Sequence, residues 1–149
     1  MSKTTADIVV ENWDAIAPEL DLDGTDPPDT FFNDRQFESG PGEWLVGTDE
    51  EADELVREYI EDSLWAFLPA FLAGTTGLDQ SVFDAFVKAD LCEGANEAIA
   101  SLIKSTCGLD RFVEQAVAAD GRGHFLSSYD GEEREVKVGD TYLYFYRVN

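Results

Sequence analysis

Apolar Ile8, Val9, Trp13, Ile16 and Leu20 recur at roughly helical spacing and predict a first short helix. Pro18 lies near its end, where proline stops or breaks a helix. Residues 21–44, "DLDGTDPPDTFFNDRQFESGPGEW", lose the period and collect Gly, Pro, Asp and Asn. They predict a long loop, pinned to the core by Phe31, Phe32, Phe37 and Trp44. The clearest helix begins at Thr48, an N-cap residue with Glu51 three positions on, the spacing of a capping box. Asp49, Glu50 and Glu51 suit its positive N-terminus. Leu55, Val56, Tyr59, Ile60, Leu64 and Phe67 form its apolar stripe, and Asp53, Glu54, Glu58, Glu61 and Asp62 fall mostly opposite. Pro69 kinks or ends this helix, with Gly74 soon after.

Two further stripes follow, Val82, Phe83, Phe86 and Val87, then Leu91, Ala95, Ala98, Ile99, Leu102 and Ile103. A last helix turns Leu109, Phe112, Val113 and Ala116 inward and stops at Gly121, the position of a C-terminal glycine. The period then changes to two. "HFLSSYD", "REVKV" and "DTYLYFYRVN" are rich in aromatic and β-branched residues and predict strands, with turns at Asp130-Gly131 and Gly139-Asp140. The fold class is α+β: one mostly helical domain over 1–149 with a small C-terminal antiparallel β-hairpin or meander. Its parts are an acidic helix and loop (1–47), helices (48–120) and a β-rich end (121–149).

Charge changes this picture most. The chain has 32 acids against 10 bases, a net charge of −22, with only four lysines. Such a chain is unsuited to direct nucleic-acid binding through phosphates and to anionic membranes. Residues 1–62 hold 19 acids and 3 bases; residues 63–149 hold 13 and 7. A polyanion mimic concentrates acid on one face, whereas a protein adapted to high salt spreads it. The asymmetry favours the first reading and the scarcity of lysine the second. "MSKTTADIVVEN" lacks the basic and apolar regions of a signal peptide, which leads to the expectation of a cytoplasmic protein. Cys92, Cys107 and His124 form no zinc pattern; the cysteines read as reduced thiols, and no cofactor or metal is expected.

The densest chemistry is "DGRGHFLSSYDGEE", residues 120–133. A catalytic reading makes His124 a general base, with Asp120 or Asp130 orienting it and Arg122 binding an anion. Ser127 or Ser128 would be the nucleophile, but neither follows a nucleophile-elbow motif. The plainer reading is a helix stop followed by a turn. This stretch, with "YLYFYRVN", "SLWAF" and "CEGANEAI", resembles small uncharacterised proteins of phages and plasmids over Ser63 to Asn149. The resemblance implies an accessory protein of a mobile element and brings no catalytic residue.

Three other stretches suggest binding. "ELDLDGTDPPDT" imitates the first half of an EF-hand with Glu19, Asp21, Asp23 and Gly24, then fails: Thr30 stands where the bidentate glutamate belongs, and Pro27-Pro28 breaks the geometry. Tyr142, Tyr144 and Tyr146 alternate with Leu143, Phe145 and Arg147, so one row is core and the other a possible protein-binding strip. The acidic helix face offers Asp49, Glu50, Glu54, Glu58, Glu61 and Asp62 to a basic protein. The sequence thus leads to the expectation of a non-enzymatic accessory protein that binds a basic host protein through this face. Its sharpest form is a DNA mimic acting on a DNA-binding or defence protein. The alternatives are a small enzyme centred on His124 with Asp120, Arg122 and Asp130, and a salt-adapted protein whose charge says nothing of partners.

Overall fold

The computed structural model describes residues 3–149. The fold is α+β, and its internal contacts resolve into two compact units. One comprises the chain up to Val56 together with Arg122–Asn149; the other is Arg57–Gly121.

The first unit is built on a four-stranded antiparallel sheet in the order β1-β2-β4-β3. Its strands are β1 (Gln36–Ser39), β2 (Gly42–Gly47), β3 (Arg134–Val138) and β4 (Thr141–Arg147). The C-terminal hairpin β3–β4 is the predicted one, and its turn uses Gly139 at φ +61°. β1 and β2 correct the sequence reading, which made residues 21–44 a loop. Their alternation is real: Phe37, Ser39, Trp44 and Val46 are all buried. It is short and framed by Gly40, Pro41 and Gly42, and β2 is fixed by pairing with distant β4, Val46 opposite Phe145. Of the four aromatics expected to pin this stretch, Phe37 and Trp44 do so and Phe31 packs against the core. Phe32 instead stands 69% exposed.

Before the sheet comes α1 (Thr5–Glu11), opened by a Thr4/Asp7 capping box. The helix breaks at Asn12, whose Nδ2 donates to Ile8 O at 2.8 Å, and resumes as α2 (Trp13–Ile16). Pro18 lies in the first turn of a 3-10 segment, Ala17–Leu20. It therefore opens a tighter helix, where its missing N–H costs nothing. Val9, Trp13, Ile16 and Leu20 meet one sheet face, made by Phe37, Trp44, Val46, Val136, Leu143 and Phe145. Phe37 sits edge-on to Trp13 and Phe145, centroids 5.8 and 6.3 Å away.

The segment "HFLSSYD" is the second correction. It opens in α8 (Arg122–Leu126), with Ser127 N–H donating to Gly123 O at 2.9 Å. Aromatic composition suggested a strand. The backbone finds partners without one, because Tyr129 N–H donates to Arg147 O at 3.2 Å.

The second unit is helical. α3 spans Asp49–Asp62. α4 (Pro69–Thr76), α5 (Gln80–Lys88), α6 (Asn96–Ser105) and α7 (Leu109–Asp120) follow. Pro69 starts α4 at its first turn, and Gly77, left-handed at φ +79°, ends it. Val56, Ile60 and Leu64 are buried as their spacing predicts, whereas Tyr59 is exposed. Asn96 closes the end of α3: its Nδ2 donates to Glu61 O at 2.7 Å, and its Oδ1 accepts from Trp65 N at 3.2 Å. Phe67, Phe71 and Phe112 pack with centroids 5.1–5.6 Å apart.

Candidate functional site

The six carboxylates singled out by sequence all lie on α3, but the structure sorts them. Asp49 is held by Arg122 at 3.0 Å, and Glu61 by Arg57 at 2.9 Å. Glu50, Glu54, Glu58 and Asp62 are exposed, and their carboxylates make no hydrogen bond or ion pair among the described residues. At i, i+4 spacing they form one row along the helix, successive members separated by about 6 Å of rise. Neighbouring like charges in such a row repel by about 0.2–0.5 kcal/mol per pair. Helix formation at this position therefore depends on the cap and the buried stripe rather than on the row itself.

The cap is firm. Thr48 N–H donates to Glu51 Oε1 at 3.0 Å, and Glu51 N–H donates to Thr48 Oγ1 at 3.3 Å. This is the predicted capping box. The structure adds that Glu51 also accepts from the Thr5 hydroxyl of α1 and pairs with Arg35. Burial pushes its carboxyl up, but the Thr48 amide, the Thr5 hydroxyl and Arg35 outweigh it and hold the carboxyl below its ordinary value. A depressed carboxyl stabilises the fold above its unfolded value, near pH 4.3, and loses that contribution as pH falls through the folded value. Glu51→Gln should therefore cost about 1–2 kcal/mol at pH 7. The gap to wild type should close as pH falls through that depressed folded value, where wild-type Glu51 becomes protonated too. Urea unfolding at neutral and acid pH checks this, and a gap that persists into acid would remove the charge from the argument.

Arg122, taken from sequence as an anion binder, is spent within the fold. Its side chain is 10% exposed and reaches Asp49, Asp53 and Glu133 at 3.0, 3.0 and 2.7 Å. It lies over the Tyr144 ring, 4.7 Å from the centroid. Burial works against its charge, but the bond to Glu133 and the adjoining carboxylates overcome this and raise its pKa. Glu133 also accepts from the hydroxyl of fully buried Tyr146, whose ionisation burial and that bond push upward. The tyrosine row left by sequence for a partner is thus occupied from within: Arg122 covers Tyr144, Tyr146 is buried, and Lys137 lies over the ring of half-exposed Tyr142.

Among the described residues, no hydrogen bond or ion pair joins His124 to Ser127, Ser128 or Asp130. His124 lies exposed on α8, edge-on to Phe125 at 5.0 Å, and makes no hydrogen bond among the described residues. Asp120 is the exposed last residue of α7, in the second unit. Asp130 Oδ1 accepts from Ser127 Oγ at 2.7 Å and from Glu132 N–H at 3.0 Å, and its other oxygen meets Arg134 at 3.3 Å. Its carboxyl is pushed up by burial yet held low by Ser127, the Glu132 amide and Arg134. Ser127 is buried, with Oγ also 2.8 Å from Arg147 O, and Ser128 Oγ donates to Val148 O at 2.8 Å. Both serines tie a turn to the end of β4. The half EF-hand is likewise absorbed: Glu19 lies in the 3-10 segment, Asp21 is left-handed at φ +59°, and Arg134 approaches Asp21 at 3.4 Å. Among the described residues, no group of three or more His, Cys, Asp or Glu is placed to hold a metal ion. No helix among them is long and apolar enough to cross a membrane.

Sequence reasoning missed the role of Glu133 and the closing role of Asn96. Neither carries a local signal, because each acts on residues brought near by folding. No protein-family model, curated protein or solved structure matches this chain.

Proposed function

We propose that this protein is a non-enzymatic binding module that engages a basic protein through the α3 row Glu50, Glu54, Glu58 and Asp62. The observation carrying this reading is the division among its carboxylates. Asp49, Asp53, Glu61 and Glu133 are matched by internal arginines, whereas the row is left without a cation. An unmatched line of charge gains more from a basic partner than a charge already paired. A DNA-binding protein, whose surface is already arranged for a polyanion, is the sharpest version of that partner. The resemblance to phage and plasmid proteins gives it a setting, as an accessory protein acting on a host factor.

The test is displacement of DNA from the basic DNA-binding proteins of the host, read by gel shift. The wild type should displace DNA from at least one of them. The variant Glu50→Gln/Glu54→Gln/Glu58→Gln/Asp62→Asn should need at least tenfold more protein, while gaining about 1 kcal/mol of stability from relieved repulsion. Displacement that survives neutralisation would remove the row from the proposal. A second reading, adaptation to salt, is favoured by the surplus of acid in both units: 21 acids against 6 bases in the first and 11 against 4 in the second. A fold that collapses at low KCl and tightens at molar KCl would assign the charge to that cause.

A further inference from the structure

The helical unit holds an open apolar groove of about 400 Å³. Its floor is made by Leu72, Phe83, Ala95 and Ile99, all buried, and Trp65 forms part of its wall. Its rim is unusual. Leu68 and Val87 line the groove yet stand 74% and 63% exposed. Apolar side chains that stand out around an apolar cleft mark a surface that another molecule covers. One segment of the rim is also held in a rarely used backbone conformation: Asp90 has φ +53° and Cys92 φ +47°, with half-exposed Leu91 between them. Aspartate tolerates the left-handed region, but cysteine adopts it seldom, and such outliers gather at binding sites.

The electrostatics narrow the occupant. Among the described residues, Asp90 is the one charged residue lining the groove, and it is an acid in a unit with 11 acids and 4 bases. A fatty-acid carboxylate or an anionic lipid surface would meet repulsion here. A second copy of this chain would bring a further charge of −22. A small apolar ligand sunk in the cleft would leave Leu68 and Val87 uncovered. A helix laid along it covers floor and rim together.

We infer that this groove docks an amphipathic helix of a partner protein, with apolar anchors on one face and lysine or arginine beside them. The positive charge of that partner rests on the reading given above; the apolar anchoring does not. The groove and the α3 row are separately mutable, so the two ideas fail separately.

The probe is a synthetic leucine–lysine peptide patterned as an amphipathic helix of about five turns, with a scrambled isomer as control. Binding is read by fluorescence of Trp65, since Trp13 and Trp44 are buried in the other unit. A Trp65→Phe variant should silence the signal, and calorimetry reads the same titrations without it. Val87→Asp and Leu68→Asp alter exposed side chains, so circular dichroism should show both folded. The patterned peptide should saturate the wild type and bind each variant at least tenfold more weakly. The scrambled isomer should bind weakly and equally to all three proteins. The α3 quadruple variant should keep the preference for the patterned peptide. Equal binding of the two isomers, no saturable binding, or indifference to the rim substitutions would overturn the inference. So would a concentration-dependent dimer of the wild type that Val87→Asp abolishes, since it would place a second copy in the groove.

Discussion

Arg122→Met is expected to destabilise the first unit by about 2–3 kcal/mol, lowering the melting temperature by about 5–10 °C. The reason lies in what is left behind. Asp49 and Asp53 are mostly exposed, and losing an exposed pair costs little. Glu133 is different: two-thirds covered, it is left beside the buried Tyr146 hydroxyl without its cation. Removing one partner of a buried pair costs about 3–5 kcal/mol, and the remaining access of water to Glu133 puts this case below that range. Loss of the contact with Tyr144 adds to the effect. Adding Glu133→Gln to Arg122→Met should recover part of the loss, because the stranded charge is then absent. The measurement is urea unfolding of the Trp65→Phe protein, followed through Trp13 and Trp44, both buried in the first unit. A midpoint that hardly moves, or a double variant no better than the single one, would show that Arg122 is dispensable.

Gly123→Ala is expected to cost about 2 kcal/mol, although intrinsic helix propensity alone would make alanine the better residue by about 1 kcal/mol. A Cβ added at Gly123 would lie 2.7 Å from Glu132 C, Glu133 N and Gly131 O. These are backbone atoms, so no rotamer can relieve the overlap. α8 would have to move off the 131–133 segment, loosening the Arg122–Glu133 bond at 2.7 Å as it did so. Gly74, within α4, provides the comparison, since nothing lies within 4 Å of the Cβ it would gain. Gly74→Ala should stabilise by about 0.5–1 kcal/mol. Opposite signs for one chemical change, measured by thermal and urea unfolding, would establish that close approach rather than backbone freedom selects glycine at position 123. A neutral or stabilising Gly123→Ala would refute that contact.

Much of this protein is written locally in its chain. The capping box at Thr48 and Glu51, the helical spacing of Val56, Ile60 and Leu64, and the β3–β4 hairpin with its Gly139 turn depend on neighbours a few residues away. Period and cap signals can be read for that reason. The carboxylate row of α3 is legible on the same grounds, since i, i+4 spacing on one helix needs no tertiary information. Folding decided the rest. β2 is a strand because β4 lies beside it, and "HFLSSYD" opens in a helix because Gly123 seats it against residues 131–133 while Arg122 ties it to Asp49 and Asp53. Which carboxylates are matched and which stand free is tertiary too: Arg122 reaches Asp49 and Asp53 about seventy positions back. The exposed Phe32, Tyr59 and Val87 have the same origin, because periodicity identifies an apolar residue while only the packed neighbours determine whether it is covered.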